Sequence, residues 1–204
     1  MMRTIFNRMM ALAAVVTLTA TTAQARYFKT VVIDAGHGGH DKGAQWGQVY
    51  EKHLCLDTAT RLEAQLKAMG FRTVMTRSSD NFVSLPGRVD IANRYPDAIF
   101  VAVHYNFTWN QDANGLETFY CNSAESQKLA QMVQSNVVRK VRATDRGTKF
   151  ARYYVIRHPS IPAILVECGF VSNSTERNKM KSAWYRESLA KGIAEAVMRY
   201  RRSG

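Results

Sequence analysis

The sequence predicts a single-domain α/β sandwich with a mostly parallel central sheet flanked by helices. Short apolar runs that read as buried strands, "TVVID", "AIFVAVH" and "AILVECGF", recur along the chain. Segments with the apolar spacing of amphipathic helices separate them, and that alternation builds a parallel sheet. The 204 residues suffice for one core, with no internal repeat, low-complexity tract or linker to divide it.

The first 25 residues stand apart from this pattern. Met1 to Arg8 carries two arginines and no acid, "MMALAAVVTLTATTA" is apolar, and "AQA" places small residues at Ala23 and Ala25. This is the composition of a secretory signal cleaved after Ala25, which leaves residues 26–204 as the domain. The apolar run is shorter than the ~20 residues a membrane span needs, so no transmembrane span is expected in the mature form. An exported location follows, periplasmic or extracellular.

Residues 30–34 read as a strand entering a glycine-rich turn. From Glu51 to Met69, Cys55, Ala59, Leu62, Leu66 and Met69 step by four and three along one helical face. Gly70 then stands where a helix end favours a left-handed residue. "FRTVMTR" (71–77) is a second strand, and "SLPGRVDIANRYP" (84–96) a short helix stopped by Pro96. "AIFVAVH" (98–104) is a buried strand ending in a histidine, and "LETFYC" (116–121) another strand. A helix follows over 124–141, then strands at "YYVIR" (153–157) and "AILVECGF" (163–170). A last helix from about Trp184 to Arg201 buries Leu189, Ile193, Val197 and Tyr200.

The chain carries 28 basic and 16 acidic residues; loss of Arg3 and Arg8 with the signal leaves 26 against 16, a net charge of +10. Outside the cytoplasm such charge favours an acidic cell-wall polymer over nucleic acid. The cysteines, Cys55, Cys121 and Cys168, are odd in number and form no C-x-x-C pair. Cysteine metal sites are therefore not expected, and the sequence leaves disulfide pairing open.

In open α/β sheets, ligands bind at the carboxyl ends of the strands. There His37 follows the first strand, His104 ends "AIFVAVH", Glu167 lies in "AILVE", and Glu51 opens the first long helix. Two histidines and one carboxylate form a ligand set for catalytic zinc, which keeps a fourth position for water. The second carboxylate is then free to act as general base. The residues alone leave open which glutamate takes which role and which metal is bound. Gly36, Gly38 and Gly39 allow a tight turn and leave His37 accessible.

The ordered set "VVIDAGHGGHDKGA", "GQVYEKHL", "LPGRVDIANRYPDAIFVAVHYN" and "PAILVECGFVSN" resembles the zinc-dependent N-acetylmuramoyl-L-alanine amidases with an amidase-3 type catalytic domain, over about Thr30 to Arg201. The resemblance implies that His37, Glu51 and His104 ligate one zinc per chain and that Glu167 is the catalytic glutamate. It implies peptidoglycan as substrate, cut at the amide between N-acetylmuramic acid and L-alanine of the stem peptide. The same chemistry on a neighbouring bond would make a stem-peptide zinc peptidase. Loss of the chemical residues would have favoured a non-catalytic wall-binding protein, but all four are present.

Some positions depart from the family pattern. Tyr105 stands where a small residue is usual and Ala102 where serine is common, while Asn106 is kept. Catalysis is expected to survive with a changed cleft rim, where Tyr105, Phe107 and Trp109 are candidates for an aromatic platform. Some relatives carry an inserted helix that plugs the zinc site; residues 121–158 leave little length for one, so no plug is expected. No appended wall-binding module is expected either, so targeting falls to the basic surface or a partner; whether an activator protein is needed is not specified. His40 is expected in the turn, His53 pointing elsewhere, and Cys168 in the core on the sheet face opposite Glu167.

Overall fold

The computed structural model describes residues 28–121 and 123–203; the expected secretory signal lies outside them. Strand β1 (Thr30–Ala35) is followed by a two-stranded hairpin, β2 (Gln45–Trp46) and β3 (Val49–Tyr50), and by helix α1 (Glu51–Ala68). Then come β4 (Arg72–Met75), α2 (Leu85–Asn93), β5 (Ala98–Asn106), β6 (Leu116–Tyr120) and α3 (Ala124–Val141). The chain continues through β7 (Asp145–Phe150), α4 (Tyr154–Arg157), β8 (Ala163–Phe170), α5 (Ser174–Lys181) and α6 (Ala183–Arg202).

Six strands form one sheet in the order β4-β1-β5-β8-β6-β7. The pairs β1–β4, β1–β5 and β5–β8 are parallel, whereas β6 runs antiparallel to β8 and parallel to β7. The sheet is therefore mostly parallel, with a reversed edge. Local chemistry sets the helix boundaries. Ser84, Ser123 and Asn173 each accept a backbone N–H from the first turn of α2, α3 and α5, satisfying a donor that the helix cannot. At the end of α1, the N–H groups of Gly70 and Phe71 reach back to the carbonyls of Lys67 and Leu66, both at 3.0 Å.

Strand alternation divides the core in two. Val31, Ile33, Val101, Val103, Ile164 and Val166 pack with residues of α1, α3 and α6 on one face. Val32, Phe100, Ala102, Phe119 and Leu165 pack on the other with Ala92 of α2 and Val155 and Ile156 of α4. Three long helices cover the first face. Only two short ones cover the second, and its carboxyl-terminal half stays open.

Two expectations are corrected. "YYVIR" is not a strand: residues 154–157 form the single turn α4, with consecutive Val155 and Ile156 both buried. A four-residue apolar run has no period long enough to distinguish turn from strand. The strand position beyond β6 goes to β7, whose polar "DRGTKF" carries no hydrophobic signal. Ala102 lies buried under α2 and α4, not at a cleft rim.

Candidate functional site

The open half of the second face holds a cleft of about 750 Å³, lined among others by His37, Glu51, His104 and Glu167. Each arrives by a different route. In β5 the alternation that buries Val101 and Val103 turns His104 to the cleft face. His104 pairs directly with Glu167 of β8, which in turn pairs with Glu117 of β6, so three polar side chains share one row. These residues lie within strands, on the face of the sheet near its carboxyl ends.

Glu51, the first residue of α1, is buried and fully engaged. Its Oε1 accepts from the Tyr105 N–H at 3.0 Å and lies 2.9 Å from His104 Nδ1. Its Oε2 accepts from the Ala44 N–H at 2.7 Å and lies 3.0 Å from His37 Nε2. One ligand atom from each of His37, Glu51 and His104 falls within 4.8 Å of the others, so the three could hold a metal ion. Burial alone would raise the Glu51 pKa, but the bonds and charges of the two histidines hold it far below the carboxylate range.

Asp41, which sequence reasoning missed, fixes His37 from behind. Its Oδ2 lies 2.8 Å from His37 Nδ1, the arrangement that selects a ring tautomer in metal-binding histidines. Burial lowers the His37 pKa, but the bonds to Glu51 and Asp41 outweigh it and the net shift is upward. The legible signal was an acid four residues after a histidine within one turn.

Glycines make the close approach possible, though not as the sequence suggested. A Cβ on Gly36 would stand 2.4 Å from the His104 ring, and one on Gly43 would stand 2.5 Å from the His37 ring and 2.6 Å from Glu51 Oε2. His37 itself has φ 60°, a left-handed conformation rare for a side chain of its size. Buried arginines stabilise the turn. Arg88 donates to Asp34 Oδ1 at 2.6 Å, to the Ala35 carbonyl at 2.7 Å and to the His37 carbonyl at 2.7 Å. Arg77 donates to the carbonyls of Ala35, Gly36 and Lys52 at 2.7–2.9 Å. Buried carbonyls that leave a sheet ladder need such partners, and guanidinium forks reach several at once.

Glu167 contrasts with Glu51. Its Oε2 is buried with no hydrogen-bond partner. Burial, then the charges of Glu51 and Glu117, push its pKa well above the usual carboxylate value. Glu117 is held the other way: burial is outweighed by bonds from Lys149 and Arg146, and its pKa is lowered. Glu117 Oε1 also accepts from Asn106 Nδ2 at 2.7 Å, which accounts for the placing of that asparagine.

The remaining candidates sort plainly. Tyr105 does not join a rim platform: it is fully buried on the α1 face, its hydroxyl 2.7 Å from Thr58 Oγ1. Phe107 lines the cleft and meets the exposed Trp109 edge-on at 5.3 Å. His40 is exposed beside Phe82, and His53 faces Tyr50 away from the centre. Cys168 is buried opposite Glu167, and all three cysteines are free and buried. The segment from β6 to β8 is taken up by α3, β7 and α4, and α4 stands at the side of the cleft.

A family model described as N-acetylmuramoyl-L-alanine amidase matches residues 31–199. N-acetylmuramoyl-L-alanine amidase LytC of Bacillus subtilis (strain 168) is 36% identical over 177 residues, 85% of this chain but 36% of LytC. The chain thus spans about a third of that relative. The crystal structure of an N-acetylmuramoyl-L-alanine amidase from Clostridium difficile 630 superposes with a TM-score of 0.83 at 38% identity, over 86% of this chain and 98% of that one. The CwlD amidase from Clostridioides difficile, solved in complex with the GerS lipoprotein, gives 0.81 at 28% identity, over 84% and 98%. Family model, relatives and fold coincide: the chain belongs to the amidase-3 family of N-acetylmuramoyl-L-alanine amidases.

Proposed function

We propose that this chain is an exported, zinc-dependent peptidoglycan hydrolase that cleaves the amide between N-acetylmuramic acid and L-alanine of the stem peptide. The reading rests on one juxtaposition: His37, Glu51 and His104 with ligand atoms within 4.8 Å, beside a buried Glu167 oxygen that has no partner. Family membership supplies the bond, and the secretory pattern of residues 1–25 supplies the compartment. No helix among the described residues is long and apolar enough to cross a membrane.

His37, Glu51 and His104 would hold the zinc, a borderline-soft ion suited to two imidazoles and one carboxylate. Bound there, zinc supplies Lewis-acid polarisation of the amide carbonyl and acidifies water. Asp41 keeps the proton on His37 Nδ1, leaving Nε2 free to ligate. The Ala44 and Tyr105 N–H groups fix the Glu51 carboxylate. Glu167 takes a proton from the attacking water and returns it to the departing alanine nitrogen. Its buried oxygen has no other hydrogen-bond partner and is free to take up and return that proton.

The test is digestion of purified peptidoglycan with product masses measured. Intact stem peptides with free L-alanine N-termini, leaving peptide-free glycan, are the expected products. Shortened peptides still joined to muramic acid would instead indicate a peptidase.

A further inference from the structure

Among the described residues, seven large apolar side chains are exposed, and four of them, Phe82, Leu85, Tyr153 and Tyr154, line the one cleft. Their exposures are 46%, 51%, 47% and 40%. Such clustering is unusual on a soluble surface, where exposed apolar residues are mostly scattered. The four come from the segment entering α2 and from the start of α4, two elements that pack on each other, and all four line the same cleft.

Each of the three aromatic rings lies against another ring. Tyr153 meets Phe119 edge-on at 5.1 Å, Tyr154 lies over His158 at 4.3 Å, and Phe82 over His40 at 4.2 Å. A ring already held against a neighbour loses less further freedom when a ligand covers it. Val83, Val155 and Leu165 complete the lining on this side, and none of these seven residues is charged. The charged residues that line the cleft are those of the metal centre and its supporting turn: Asp34, His37, Asp41, Glu51, Arg88, His104 and Glu167.

Resting on the amidase reading, we propose that this wall is the glycan subsite: it takes the sugar chain on the muramic acid side of the scissile amide. The two halves of the substrate differ in the relevant chemistry. The stem peptide carries carboxylates, which an uncharged aromatic wall would desolvate without compensation. An amide-linked N-acetylated sugar chain has no charge. Pyranose rings present faces of polarised C–H groups that suit the negative face of an aromatic ring. The flanking Arg152 and Arg157 do not line the cleft, and Arg88 of α2, which does, is committed to Asp34 and to the carbonyls of Val83, Ala35 and His37, so the cations near this wall are not free to favour the acidic peptide.

The test is calorimetric titration of the full-length mature chain with two probes, glycan strands whose muramic acid carboxyls are capped as simple amides and a free stem tetrapeptide, alongside peptide release from whole peptidoglycan. The variants are Phe82→Ala, which lies outside any helix, Tyr154→Ala, and Tyr154→Phe, which keeps the ring. Loss of one ring is expected to weaken glycan binding about fivefold to tenfold, the range of an interface residue worth just over 1 kcal/mol. Tyr154→Phe is expected to bind as the parent does, and the tetrapeptide titration to be unmoved by all three. Folded alanine variants that bind glycan as tightly as an active parent would overturn the subsite. So would variants that weaken tetrapeptide binding alone. A parent that binds glycan through these rings yet releases no stem peptide would overturn the amidase reading and leave the subsite standing.

Discussion

At the scale of single residues, the two glutamates show how surroundings push identical side chains in opposite directions. Glu51 meets two imidazoles and two backbone N–H groups, whereas Glu167 has an oxygen with no partner. Replacing Glu167 with Gln is expected to lower kcat by about 10²–10⁴-fold, the usual contribution of a general base. The same change is expected to raise the melting temperature of the metal-free protein at neutral pH. The sign follows from linkage: a carboxyl whose folded pKa is raised costs stability progressively as pH climbs from the unfolded value towards the folded one, and an amide does not titrate. Calorimetry at several pH values reads this directly. Asp41→Ala removes the acceptor behind His37 and is expected to weaken zinc binding about 10- to 100-fold, measured by competition with a chromophoric chelator.

At the scale of elements, the turn after β1 is the most constrained part of the molecule. A methyl group at Gly36 would overlap the His104 ring, so Gly36→Ala is expected to abolish zinc binding in a protein that still folds, as circular dichroism and metal analysis would show. Arg88→Lys keeps the charge but cannot reach Asp34 and the carbonyls of Val83, Ala35 and His37 together. It is expected to lower both the melting temperature and zinc affinity.

These supports were only half legible in the sequence. His37, Glu51, His104 and Glu167 announce themselves because ionisable residues at strand and helix ends are chemically conspicuous. Asp41, Arg77 and Gly43 act through turn geometry that no periodicity encodes. The long helices and central strands were legible from apolar spacing. The polar strand β7 was not, because an edge strand needs little apolar surface, and the run "YYVIR" was too short to show its period. The resemblance at Tyr105 misled for a related reason: strand alternation sends it to the opposite face from His104.

At the scale of the whole molecule, one well-covered sheet face carries stability and the less covered one carries the cleft. The buried Glu117, clamped by Arg146 and Lys149, ties the reversed edge of the sheet to the row containing Glu167. Its lowered pKa means that the clamp stabilises the fold above the ordinary value of 4.5 and is lost as pH falls below it. Glu117→Gln is therefore expected to flatten the acid limb of the stability curve, followed by thermal melts from neutral to acidic pH.

The central claim is that His37, Glu51 and His104 bind the metal while Glu167 moves the proton. Zinc content and stem-peptide release, measured together on the parent, His37→Ala and Glu167→Ala, test it most directly. The account predicts one zinc per chain in the parent and in Glu167→Ala, none in His37→Ala, and peptide release by the parent alone. A Glu167→Ala protein that loses its zinc, or one that releases peptide as the parent does, would contradict it.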